Sequence, residues 1–326
     1  FDIEVFDPLQ DLAAKSSGVL YWHYPPTFVA LIYPLGHLSP GAALAWFTVL
    51  TVLVWGVTVY VMIDTKSWIE RLPVLLCPAV YMTIIGGQNG AFTAALLCLF
   101  ILGVVRNRDW MIVVACTLLL AKPHFGVLMP VVLIALQRYR AFALSALFGS
   151  AFLGWSVWMT GIEYVEAFFA NAASIEGKIS ASTLIDKQHT LFSFLSSLNV
   201  PQGIALGLQS LLALGIIGLT WVTFRSERLS QDLKVAYFLI GSVMISPYAF
   251  IYDGAAAVIG MWYLHRGTRE APIPGQNLII ALAWLMPYVN RWVHERVDVS
   301  WAGLSMLFLL AILIVHVRRE MVAKPT

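Results

Sequence analysis

The chain has 326 residues, 60% of them hydrophobic and 12% charged, with a formal net charge of +2, and its mean hydropathy is +0.79. Soluble domains are about 45–50% apolar and about 25% charged, so this composition excludes a soluble enzyme and defines a polytopic membrane protein. The apolar runs lack the alternation of a β-barrel, so the spans are predicted to be helices, which satisfy their backbone groups internally.

Residues 1–25 form an N-terminal segment with Asp2, Glu4, Asp7 and Asp11, followed by Tyr21-Trp22-His23-Tyr24-Pro25-Pro26. The aromatic rings suit a headgroup-depth belt, and a stiff aromatic ledge would also suit a sugar ring. The chain opens on Phe1 with no charged leader region, which leads to the expectation that a first membrane helix lies upstream. Crossings are then expected at 41–63, 72–85, 91–105, 110–121, 125–136, 141–160, 203–224, 235–246, 249–265, 277–290 and 300–317, eleven in all. Segments 26–38 and 191–198 read as outer or re-entrant half-helices. Joining 110–136 into one proline-kinked span is the competing arrangement, and it would break the charge pattern. Cys77, Cys98 and Cys116 lie within apolar runs, where they serve as small packing residues rather than a disulfide framework.

Charge is segregated between alternate connections. One set and the C-terminal tail hold fourteen Lys and Arg against seven acids, giving +7; the other set holds six against eleven, giving −5. The basic side is the cytoplasmic one, which predicts a cytoplasmic C-terminus in the cytoplasmic membrane and an extracytoplasmic active face. On that face the long connection 161–190 is predicted to be a functional outer loop. The whole chain, 1–326, reads as a single integral membrane domain.

Several predicted helices are short, and they meet on the outer side at Gly86-Gly87-Gln88-Asn89-Gly90, Lys122-Pro123-His124 and Ser246-Pro247-Tyr248. Irregular backbone at membrane depth is tolerated only where it is buried in protein or lines a wet cavity, so a polar cavity is expected there. Lys122 stands between two apolar runs with no acid nearby in sequence. It is either a snorkelling lysine or, with His124 and a following helix start, an anion clamp. Lys187 and His189 would add cationic or polar groups from the long connection, and Arg291 and Arg296 are further cations near Glu295 and Asp298. Gln88 and Asn89 match hydroxyl-rich ligands or serve as turn and capping residues. Asp253, beside Tyr252 near the start of an outer-facing helix, is either paired or reactive.

The sequence lacks a Walker A loop, HExxH and CxxC, and has no paired acidic nucleotide-sugar motif among its basic connections. Nucleotide binding is not indicated, and nucleic acid is not an expected partner because membrane orientation accounts for the basic residues.

At these residues the chain resembles glycosyltransferase family 87, the polyprenol-phosphate-mannose-dependent mannosyltransferase-like membrane enzymes with a GT-C fold. Tyr24-Pro25-Pro26 is similar to the family's Tyr-Pro-Pro stretch, Gly87-Gln88-Asn89-Gly90 to its Gly-Gln-Asn turn, Lys122-Pro123-His124 to its Lys-Pro turn and Ser246-Pro247-Tyr248 to its late Ser-Pro element. The resemblance implies an all-α transmembrane bundle and inverting transfer of a hexose from a polyprenyl-phosphate donor to a glycolipid or glycan acceptor. Lys122, His124, Lys187 and His189 would receive the donor phosphate, while Tyr24, Gln88, Asn89 and Tyr248 would contact sugar or acceptor. The family's general base is an Asp in the first outer loop, and its place falls upstream of Phe1. Asp2, Asp7 and Asp253 are the fallback carboxylates, and without that upstream Asp this stretch alone is expected to be inactive. Many relatives carry His after the late Ser-Pro element, where this chain has Tyr252-Asp253. No metal or other cofactor is required by this reading. A transporter or flippase of lipid-linked saccharides is the alternative, and a structural membrane subunit is the third.

Overall fold

Proline opens many of the helices and a left-handed residue closes several of them. The computed structural model describes residues 24–179 and 185–322. Its helices are α1 (Pro26–Ile32), α2 (Pro40–Met62), α3 (Trp68–Leu75), α4 (Pro78–Ile85), α5 (Gly90–Val105), α6 (Asp109–Leu118), α7 (Leu128–Ala135), α8 (Tyr139–Thr160), α9 (Ile162–Ile179), α10 (Leu191–Ser197), α11 (Gln202–Arg225), α12 (Gln231–Met244), α13 (Ala255–Thr268), α14 (Gln276–Val297) and α15 (Trp301–Val322). The described residues contain no strand, only one isolated bridge between Gln188 and Phe250. Pro26, Pro40 and Pro78 occupy first-turn positions, where the missing N–H costs no helical bond and φ is already set.

The same C-terminal turn recurs at α4, α5, α7 and α10. After α4 the Gln88 N–H donates to Thr83 O at 2.8 Å and the Gly87 N–H to Ile84 O at 3.2 Å, the paired bonds of a Schellman end. Arg108 to Gly103 and Asn107 to Val104 repeat it, as do Arg138 to Leu133 with Gln137 to Ile134, and Val200 to Leu195 with Asn199 to Ser196. The left-handed residue is Gly87, Asn107, Gln137 or Asn199, each with φ of 57°.

The eleven predicted segments are all helical, but eleven crossings are not supported. Among the described residues four helices, α2, α8, α11 and α15, are long and apolar enough to span, and α3 with α4, bent by 48°, makes a fifth if counted together. The physical reason is length. At about 1.5 Å per residue, runs of eight to sixteen residues cover only about 12–24 Å of a roughly 30 Å hydrocarbon core. The segments called at 91–105, 110–121, 125–136, 235–246 and 249–265 fall in this short class. Helix α14 is long, but its second half carries Arg291, His294, Glu295 and Arg296. Residues 26–38 form α1 and a 3-10 turn, and 191–198 hold α10, seven residues each in the α-helical part.

Three of the short helices, α5, α12 and α13, are instead the protein's own interior. Along α12 every residue from Val235 to Met244 is buried, and α5 and α13 are buried on most of their surface. The three pack on one another, with Phe100 stacked on Phe238 at 5.1 Å. A helix that is apolar all round belongs in such a core. The long helices α2, α8 and α11 lie outside and turn large apolar side chains outward, among them Trp46, Leu53 and Val57 on α2 and Leu147, Phe148 and Trp158 on α8. Uncovered apolar faces on span-length helices mark an integral membrane protein.

The alternation of charge reappears as two ends. At the basic end Arg138 pairs with Asp109 at 3.1 Å, Arg266 holds Asp232 with two nitrogens, and the Ser230 N–H donates to Glu320 at 2.8 Å. At the opposite end the broken helices meet. The connection read as an outer loop at 161–190 is mostly the helix α9, which follows α8 directly and packs on it.

Candidate active site

Three chain segments build the site. Gly87 ends α4 in the left-handed region, so the chain reverses in one residue and Gln88 and Asn89 sit between α4 and α5. Gly90 then starts α5 against the main chain of Tyr252, and Thr83 Oγ1 donates to the Tyr252 carbonyl at 3.1 Å. These contacts fix the 3-10 turn Ile251–Gly254, in which the Asp253 N–H donates to Phe250 O at 2.8 Å and the Phe250 N–H to Asp253 Oδ2 at 3.2 Å. Lys122 comes from the break between two 3-10 turns, Leu119–Ala121 and Pro123–Phe125.

Lys122 Nζ donates to Asp253 Oδ1 at 2.5 Å, and the two side chains are 9% and 1% exposed. Lys122 is thus not the solitary ammonium that its sequence neighbours suggest: its counter-ion lies 131 positions away. Two rings flank the ammonium, Tyr252 at 5.2 Å and Phe125 at 5.4 Å to their centroids. Such faces attract a cation that water no longer solvates. Only one of the three Lys122 N–H groups has an acceptor among the described residues.

The polar candidates fall into two groups. Tyr24 donates its hydroxyl to Gln88 Oε1 at 3.0 Å and stacks on Phe28 at 4.1 Å. Asn89 is buried, its Oδ1 without a partner among the described residues, while its carbonyl accepts from the amide and hydroxyl of Thr93. His124 is exposed and lies against Phe125. The other candidates lie apart from Lys122. Lys187 is exposed on a 3-10 turn, and His189 is buried against Gly254 with no partner for Nε2 among the described residues. Tyr248 packs edge-on against Phe192. Arg296 folds onto Trp292 of its own helix, and Asp298 approaches His294. Asp2 and Asp7 lie outside the described residues, and of Arg291 only its helical position is described.

A cavity of about 10 Å3 lies at this end, lined by His189, Gly254, Met261 and Met306 among others. It has room for about one water, and Lys122 is not part of its wall. Asp253 and the two rings stand at the Lys122 ammonium, where the sequence suggested a wet hollow. Among the described residues no three His, Cys, Asp or Glu side chains gather as a metal centre would require. Sequence reasoning missed Thr83, Phe125 and Tyr164, whose hydroxyl donates to the Tyr24 carbonyl at 3.0 Å. Nothing in their local sequence signals these long-range partners.

A buried ion pair at the meeting point of broken helices, in an all-helical membrane bundle, defines a membrane-embedded protein with a charged interior site. The family model for glycosyltransferase family 87 matches residues 22–247, and the chain belongs to that family. It is therefore a glycosyltransferase. The matched stretch contains Tyr24, Gln88, Asn89, Lys122, His124, Lys187 and His189, and it ends six residues before Asp253. No curated protein and no solved structure matches the chain.

Proposed function

We propose that the protein transfers a hexose, mannose by family resemblance, from a polyprenyl-phosphate donor to a glycolipid or glycan acceptor at the extracytoplasmic face of the membrane, within a GT-C-type bundle. The observation that supports this most is the buried Lys122 ammonium, rooted at a break between two 3-10 turns and paired with Asp253. A lipid-borne anion approaching from the bilayer requires such a cation at membrane depth.

The reaction is a single inverting displacement. The acceptor oxygen bonds to the anomeric carbon as the bond from that carbon to the phosphate oxygen breaks, the acceptor proton passes to a carboxylate, and polyprenyl phosphate leaves with the bonding pair. Lys122 offsets charge on the departing phosphate, an electrostatic contribution typically worth about 100-fold or more in rate, with exposed His124 and Lys187 as outer polar groups. Tyr24, Gln88, Asn89 and Tyr248 orient sugar and acceptor hydroxyls, a positioning role. Asp253 pairs with Lys122, and Asp2, Asp7 and Asp253 are the candidate proton acceptors on this stretch of chain. His189, buried against Gly254, supports the turn that carries Asp253.

The direct test is Lys122→Ala in the full-length protein, assayed in membranes with a radiolabelled polyprenyl-phosphate mannose donor. Transfer should fall by about 100-fold at unchanged expression, and undiminished turnover would reject the phosphate role.

A further inference from the structure

We propose that Asp253 is a built-in counter-anion that occupies the donor phosphate's position on Lys122, and that donor binding exchanges one anion for the other. This rests on the reading of Lys122 as the phosphate-binding cation and adds a positioning residue to it.

The two partners are held unequally. Asp253 is a short side chain on a 3-10 turn, and its second oxygen accepts the Phe250 N–H at 3.2 Å. That bond and the turn remain when the ammonium leaves, so the carboxylate has a place of its own. Lys122 has a long flexible stem rooted at a break between two short turns, with a ring on each side at 5.2 and 5.4 Å. Two of its N–H groups lack protein acceptors among the described residues. A pair serving only the fold would be expected to satisfy both ions fully, because desolvation is otherwise uncompensated. Among the described residues the cation retains unused donor capacity while the anion is anchored. The lysine is the part that moves.

A phosphate oxygen can reach Lys122 only in competition with Asp253 Oδ1. Its apparent affinity is reduced by the fraction of protein in which the ammonium is free. In return, the Lys122 side chain keeps a counter-ion when no donor is present.

The test uses the full-length protein in lipid nanodiscs, with polyprenyl-phosphate mannose as donor and polyprenyl phosphate as competitive inhibitor. Asp253→Asn keeps the shape and removes the competing charge, so donor KM and the inhibition constant of polyprenyl phosphate should both fall, by about tenfold. Lys122→Met should lose transfer and inhibition together. If Asp253→Asn raises both constants or leaves them unchanged while Lys122→Met is inactive, the exchange is wrong and the phosphate role stands. If Lys122→Met transfers and is inhibited normally, both ideas fall. Should Asp253→Asn fail to fold, the wild type supplies the answer through dicyclohexylcarbodiimide labelling of Asp253, read by mass spectrometry. Saturating polyprenyl phosphate should raise that labelling several-fold, and unchanged or reduced labelling would overturn the exchange.

Discussion

Gly90 lies directly against the main-chain carbonyl of Tyr252: a Cβ at Gly90 would stand 2.0 Å from that oxygen. The start of α5 therefore fixes where the Ile251–Gly254 turn sits, and that turn carries Asp253. An alanine at this point cannot be absorbed by a flexible side chain, because the opposing atom is backbone.

Gly90→Ala should accordingly destabilise the protein by about 1–3 kcal/mol, the usual range for overpacking, and should reduce transfer more than the loss of folded protein explains. Thermal unfolding in detergent and activity per folded molecule give the two quantities. An unchanged melting temperature would show that the contact is looser than the structure has it.

The ion pair separates its structural and chemical roles in a double substitution. Lys122→Met and Asp253→Leu singly leave one buried charge unpaired and should each cost about 3–5 kcal/mol. Made together they replace the pair with apolar groups and should recover most of that stability, while transfer stays lost. Recovery of transfer in the double variant would mean that the pair only holds the fold.

The two ends of the bundle should face opposite sides of the membrane. Lys187 and Arg106 are both exposed, Lys187 at the site end and Arg106 at the close of α5 at the basic end. With a cysteine at position 187 or 106 in otherwise accessible cysteine-free protein, a membrane-impermeant maleimide added outside intact cells should label 187 and spare 106. The opposite pattern would invert the proposed orientation.

Much of this molecule is legible along the chain. Apolar runs and prolines located the helices, and the breaks at Gly87, Lys122 and Pro247 were visible as short polar interruptions. The motifs at Tyr24, Gln88, Lys122 and Pro247 pointed to the family that the family match establishes. The number of crossings was misread because hydropathy reports an apolar environment without distinguishing lipid from protein interior. Helices α12 and α13 are apolar because they are buried among other helices. The connection at 161–190 reads as a loop by its charged residues, yet Ile162, Val165, Phe168 and Phe169 follow helical spacing within it.

The Lys122 to Asp253 pairing was beyond sequence reading for a different reason. Its partners are 131 residues apart, and neither helix periodicity nor turn chemistry links positions so distant. Asp253 was visible as a carboxylate in need of a partner, and Lys122 as a cation in need of an anion. Joining them required the α5, α12 and α13 core that brings their two turns to the same end.

Gln137 closes α7 in the left-handed region with its side chain exposed, a conformation that disfavours a residue bearing a Cβ by roughly 1–2 kcal/mol. Glycine adopts it freely, so Gln137→Gly offers a route to a sturdier preparation for purification and structure determination. The relief would come at the far end of the bundle, leaving the sugar-handling machinery untouched.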